Sequence, residues 1–389
     1  MGSLVVRRGV TRGWWLALGA RARPEDAGFG IEAAFSGGSR AGRATWGLRV
    51  LTPAFPCGAE PWVRRLQSGP VEPRSPESTA PPEGVGGGQR GFPDAGPSVS
   101  GRQPQPGGGR KELAHVLRAA VVERRGPLVT LNKPQGLPVT GKPGEVTLLS
   151  VLPELSQSLG LRQQELQVVR APGKESSGLV LLSSCPQTAS RLQKFFIHSR
   201  RAHRPTATYW AVTNGIPPAS EGQICAALTL QHISGVNVVV PVKSPSRRDI
   251  LEGVKRTLSH FRVMATGSEC ALIQLQPLTA FSSQLQVHMM LQLCPVLGDH
   301  TYSACVGSVL GQRFLLPAES TKPQRQALDD PLLRRLRLTP AQAAQLPLHL
   351  HLHCLLLPGS RPTDAPIELQ APLPQYFSRT LQCLGLCQE

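Results

Sequence analysis

The stretch between residues 167 and 182 is where the sequence would mount a reactive side chain. A short extended run, Gln167-Val168-Val169-Arg170, enters the turn Ala171-Pro172-Gly173-Lys174-Glu175. Ser176-Ser177-Gly178 and the apolar run Leu179-Val180-Leu181-Leu182 follow. A strand, a polar turn and a fully buried strand form a rigid mount for a reactive side chain. Glu175 is the carboxylate on that mount, flanked by the cations Arg170 and Lys174. No Asp occurs between Asp94 and Asp249.

Two other patterns bear on chemistry. His349, His351 and His353 alternate along one strand face, which puts three imidazoles together. No neighbouring Cys, Asp or Glu cluster completes a metal shell, so they read as structural histidines or phosphate contacts rather than a metal site. The nine cysteines form no CxxC pair and most lie in apolar runs, as reduced, buried thiols do. No apolar run is long enough to span a bilayer.

The elements that must carry these residues follow from periodicity. Helices are expected over 111–125, 146–159, 186–198, 282–293 and 373–384. Strands are expected over 128–131, 207–212 and 348–356, with hairpins over 225–242 and 258–275. Ala189, Leu192, Phe195 and Phe196 share one helical face and belong to the core. Lys194, Arg200, Arg201, His203 and Arg204 cluster towards the end of that helix. Cations there either complement the helix dipole or meet phosphates. The segment 324–345 is polar and Arg-rich and reads as an insertion. Adjacent hairpins with interspersed helices make this an α+β fold on a mixed, largely antiparallel sheet flanked by helices.

Domain organisation follows composition. Residues 1–50 are Arg-rich with no acid before Glu25, the pattern of a mitochondrial transit leader. A secretory signal around Trp14-Trp15-Leu16-Ala17-Leu18 is the alternative, with a marginal apolar core. Residues 51–110 are dominated from Ser68 onward by Pro, Gly and Ser, and read as a disordered linker. The folded domain is expected over 111–389. With 42 basic and 25 acidic residues the chain carries a formal net charge of +17. Such an excess points to a polyanionic partner, nucleic acid first.

Several segments, in order, resemble the RluA family of RNA pseudouridine synthases. Asn132-Lys133-Pro134-Gln135-Gly136 is similar to its NKPxG segment. Ser177-Gly178-Leu179-Val180-Leu181-Leu182 is similar to the end of its HRLDxxTSGLLLL motif. Thr208-Tyr209-Trp210-Ala211-Val212 resembles its KxYxAxV strand, and Pro295-Val296-Leu297-Gly298-Asp299-His300-Thr301-Tyr302 its PIxGDxxY segment. Ala371-Pro372-Leu373-Pro374 resembles its closing APLP. The resemblance covers about 115–380 and implies isomerisation of uridine in RNA without cofactor or metal. It implies that Tyr209 stacks on the flipped uracil. It also implies mitochondrial RNA, mRNA or rRNA, as the partner, with other RNA-processing or ribosome-assembly proteins as possible company, and the mitochondrial matrix as the place.

The nucleophile does not carry over. Counting back from Ser177-Gly178, the family Asp falls on Gly173, and its His and Arg fall on Arg170 and Ala171. The family's ion-pairing Arg falls on Gln286. Glu175 is the substitute carboxylate closest to hand, with Asp249 and Asp299 as remoter ones. Lys133, Arg170, Lys174, Lys194, Arg200, Arg201 and Arg204 are the expected RNA contacts. The alternative function is an inactive synthase fold that binds RNA.

Overall fold

The computed structural model describes residues 109–161, 165–233, 235–318, 321–359 and 364–387. The expected leader over 1–50 and the linker as far as residue 108 lie outside them. In chain order the elements are α1 (Arg110–Ala119), β1 (Val121–Arg125), β2 (Leu128–Lys133), α2 (Leu148–Ser158), β3 (Gln167–Arg170), β4 (Ser177–Ser183) and α3 (Pro186–Arg201). Then come β5 (Ala207–Asn214), β6 (Glu221–Ile233), β7 (Val236–Val242), α4 (Arg247–Leu251), β8 (Lys255–Gly267), β9 (Cys270–Pro277) and α5 (Gln284–Leu291). The chain closes with β10 (Val306–Val309), β11 (Gln312–Leu315), α6 (Asp330–Leu336), α7 (Pro340–Ala343), β12 (Leu350–Leu357), β13 (Ile367–Gln370) and α8 (Gln375–Leu384).

The main sheet runs β1-β2-β4-β12-β5-β9-β8-β6-β7, with β3 also on β4 and β13 also on β12. Every pairing is antiparallel except β4 with β12, at Ser177 and Gly178 against His351 and Leu352. That single parallel contact joins the sheet's N-terminal part to its C-terminal part. It depends on Gly178, whose φ is +114° and whose Cβ, if present, would run into the Leu352 backbone. The α+β expectation and the mixed sheet are what the chain adopts.

Two expectations need correction. Residues 111–125 are not one helix. It stops at Ala119, and β-branched Val121 and Val122 open a strand that turns at Gly126 and pairs with β2. The segment 324–345, read as polar, contributes to the core. Asp329 caps α6 by accepting from the Leu332 N–H, and Leu332 and Leu336 are buried with Val212, Phe377 and Leu381. Its arginines ride outside a core stripe. The hairpin β10–β11, the short α4 and the edge strand β13 carried too little apolar periodicity to be expected.

The three strand histidines are structural. His349 sets Nδ1 2.8 Å from the Pro347 carbonyl and Nε2 2.8 Å from Thr380 Oγ1. His351 Nδ1 lies 2.9 Å from Ser177 Oγ, and His353 Nδ1 lies 2.9 Å from the Ala371 carbonyl. Each ring is thus held by neighbours in the fold. No helix among the described residues is long and apolar enough to cross a membrane.

Candidate active site

Tyr209 lies in the middle of the main sheet, on β5, opposite Leu275 of β9 and Leu352 of β12. Tyr209 is half-buried, while Ala211, two residues on and on the same face of β5, is fully buried. It packs with the apolar cluster that contains Phe196 and Leu352. Burial pushes its phenol up, and the charge of Arg170 acts against that rise. Arg170, the last residue of β3, is half-buried, and its guanidinium carbon lies 4.8 Å from the centroid of the Phe196 ring. Burial lowers the Arg170 pKa first, the Tyr209 phenol opposes, and the like charge of Arg200 lowers it further. Arg170 thus lies within electrostatic reach of both Arg200 and Tyr209.

The turn 171–176 is pinned from beneath. Pro172 and Ser176 are buried, while Gly173, Lys174 and Glu175 are exposed. The Lys174 carbonyl accepts from the Gly136 N–H at 2.9 Å and from Lys133 Nζ at 3.1 Å. Lys133 also donates to the carbonyls of Pro134 and Leu137, both at 2.9 Å. An ammonium has three N–H groups, and all three are used inside the protein. Lys133 is 0% exposed, so its expected role as an RNA contact is corrected: it is a structural bolt. Burial pulls its pKa down to about 7, against the pull of Glu175.

Glu175 acts electrostatically on Lys133, Asp299 and His300. Asp299 is 1% exposed, and its Oδ1 accepts from the N–H groups of Thr301 (2.9 Å) and Tyr302 (3.0 Å). Oδ2 finds no hydrogen-bond partner among the described residues. Burial raises the Asp299 carboxyl to about 6, helped by Glu175, while the two amides and the Gln286 side chain hold it down. Asp249 is spent elsewhere. It closes a capping box with Ser246 at the start of α4, where the Ser246 N–H lowers its pKa. Lys194, Arg201 and Arg204 are exposed on and just beyond α3, and Arg200 is half-buried.

Comparison with known proteins gives the family. Residues 127–291 match the family model described as RNA pseudouridylate synthase. The chain is 67% identical over 374 residues to human mitochondrial mRNA pseudouridine synthase RPUSD3, covering 96% of this chain and 93% of that one. It belongs to the RNA pseudouridylate synthase family.

The bovine protein of the same name is 80% identical over 277 residues, 71% of this chain and 80% of that one. Among solved structures, human RNA pseudouridylate synthase domain containing 4 is similar with a TM-score of 0.56 at 28% identity, over 71% of this chain and 97% of that chain.

Against the pattern of the pseudouridylate synthase family, the departures at Gly173 and Gln286 gain a structural meaning. A Cβ at Gly173 would meet nothing within 4 Å, and its φ lies outside the left-handed region. Neither space nor backbone strain demands glycine there. Gln286 is half-buried on α5, and its side-chain amide reaches towards the Asp299 carboxylate and lowers its pKa without meeting Oδ2 in good hydrogen-bond geometry. An Arg at 286 is the residue type that such an oxygen suits. Among the described residues no group of three or more His, Cys, Asp or Glu is placed to hold a metal ion. Sequence reading missed the Lys133 bolt, because a lysine in a turn looks like a surface cation. The signal available was its place between an apolar strand and Pro134.

Proposed function

We propose that this protein converts uridine to pseudouridine in mitochondrial mRNA, in the matrix. The observation that carries this reading is 67% identity over 96% of the chain to a human mitochondrial mRNA pseudouridine synthase. Tyr209, half-buried at the position of the family's stacking tyrosine, supports it as the platform for a uracil taken out of its stack. In this reading Glu175 supplies the carboxylate. It bonds to C1′ of the ribose as the N1–C1′ bond breaks. The base turns, C5 bonds to C1′, and the carboxylate leaves. The proton removed from C5 passes through Tyr209 and ends on N1, so the change is a pure isomerisation. Lys174, Lys194, Arg201 and Arg204 give the surface that attracts the RNA backbone.

The test is to incubate full-length protein with mitochondrial mRNA transcripts and count pseudouridine by mass spectrometry. Turnover in the wild type that Glu175→Gln abolishes supports the reading. Turnover that survives Glu175→Gln removes Glu175 from it.

A specific observation favours a second reading, an RNA-binding synthase fold without turnover. Gly173 and Gln286 are both neutral where the family pairs a carboxylate with a guanidinium, so the two losses match in charge. Salt-sensitive RNA binding with no pseudouridine formed would select this reading.

A further inference from the structure

We infer that Arg170 and Arg200 form a two-guanidinium clamp for one phosphate of the RNA strand beside Tyr209. This deepens the reading of the Tyr209 face as the nucleotide site. Phe196 and Arg200 stand four residues apart on α3 and so share a helix face. The Arg170 guanidinium lies on the Phe196 ring at 4.8 Å, which fixes its plane. Tyr209 belongs to the same apolar cluster as Phe196. Both arginines therefore border one wall of the Tyr209 site, within electrostatic reach of each other.

Among the described residues no acidic side chain forms an ion pair with either arginine; the ion pairs are Arg125 with Glu123, Arg248 with Glu252 and Arg262 with Glu221. Two half-buried like charges repel, and burial adds a desolvation cost. The carbonyl end of α3 offsets part of the Arg200 charge, but Arg170 lies on β3 and has no such help. Such an arrangement suits an anion that accepts from both forks, and phosphate matches a guanidinium in shape and charge. Arg170 stands where the family motif carries His, and Ala171 stands where the motif carries Arg. The clamp is thus a feature of this chain's own turn. Its chemistry is the backbone of a single strand, since the base beside it must be splayed out.

The test reads binding and not turnover, so it stands even for a protein that forms no pseudouridine. Full-length protein is titrated with a short single-stranded RNA that carries one uridine, by fluorescence anisotropy over a series of KCl concentrations. Arg170→Gln and Arg200→Gln are each expected to weaken binding about fivefold and to reduce the salt slope by about 0.7, the signature of one lost phosphate contact. A set of RNAs with a neutral methylphosphonate at each successive position locates the contact. At one position the wild type loses affinity and Arg170→Gln loses no more. Wild-type affinity and slope in both variants would overturn the clamp. So would a methylphosphonate penalty that persists at full size in Arg170→Gln at every position. Should Arg170→Gln unfold through its lost contact with Phe196, the same series on Arg200→Gln decides the matter.

Discussion

Lys133 Nζ donates to the Lys174 carbonyl at 3.1 Å, across 41 residues of sequence. That bond ties the turn after β2 to the turn that carries Gly173 and Glu175. Lys133→Met keeps the length of the side chain and leaves three carbonyls without their donor. It is expected to lower stability by about 3 kcal/mol, read from the denaturant midpoint. The wild type has a further signature. The buried amine is near 7 against 10.5 in the open chain, so the unfolded state binds more protons between those values. Its contribution is greatest above pH 10.5 and is lost as the pH falls through 7. The gap between wild type and Lys133→Met should widen with rising pH over that window. A constant gap would contradict it.

The acid limit is set by buried imidazoles. Burial holds His288, His349 and His351 at about 4, below the ordinary 6.5. The unfolded chain binds protons on these rings from about pH 6.5 downward, and the native state does so only near 4. Their contribution is full above 6.5 and is lost as the pH falls through 4. Asp299 has the opposite sign: raised to about 6 from 3.8, it takes up a proton in the native state first. Three rings outweigh one carboxyl, so stability should fall by about 3 kcal/mol per pH unit near pH 5. Urea titrations at pH 7, 6 and 5 measure this. Unchanged midpoints across that range would count against it.

Two glycines in one motif should respond in opposite ways. Gly178→Ala drives a methyl group into the Leu352 backbone at a φ of +114°, where β4 meets β12. A loss of about 3 kcal/mol or more is expected, or failure to fold. Gly173→Ala meets open space on an exposed turn and should change stability by less than about 0.5 kcal/mol. Thermal melts of the two variants compare them directly.

Gln286→Arg is expected to stabilise the protein near neutral pH. The new guanidinium replaces the neutral Gln286 amide beside Asp299, whose Oδ2 is poorly satisfied, and returns that carboxyl towards the ordinary range, below about 6. Carboxyl titration by NMR reads the shift, and an Asp299 that still titrates near 6 would contradict it. Gly173→Asp combined with Gln286→Arg rebuilds the family's carboxylate and cation. The double variant should form pseudouridine at least tenfold faster than the wild type in the mass-spectrometric assay.

The sequence by itself determined the α+β class, most elements and the family. Those depend on local periodicity and on motifs that occur in fixed order. The run 179–182 had to be a buried strand, and 186–198 had to expose its cations. The sequence also determined that no Asp stands at position 173. Only the tertiary structure decided what the cations do. Lys133 ends strand β2 and Lys174 lies in a turn; the first is buried and fully bonded, the second exposed. That difference depends on two local carbonyls, of Pro134 and Leu137, and on one supplied by a turn 41 residues later. Arg170 and Arg200 are both expected RNA contacts, and the packing of β3 on α3 set Arg170 over Phe196, within electrostatic reach of Arg200 and Tyr209. The unpaired oxygen of Asp299 beside Gln286 emerges only where α5 meets the 295–302 loop. Charge and spacing are written along the chain. Burial and partnership depend on which distant segments the sheet brings together.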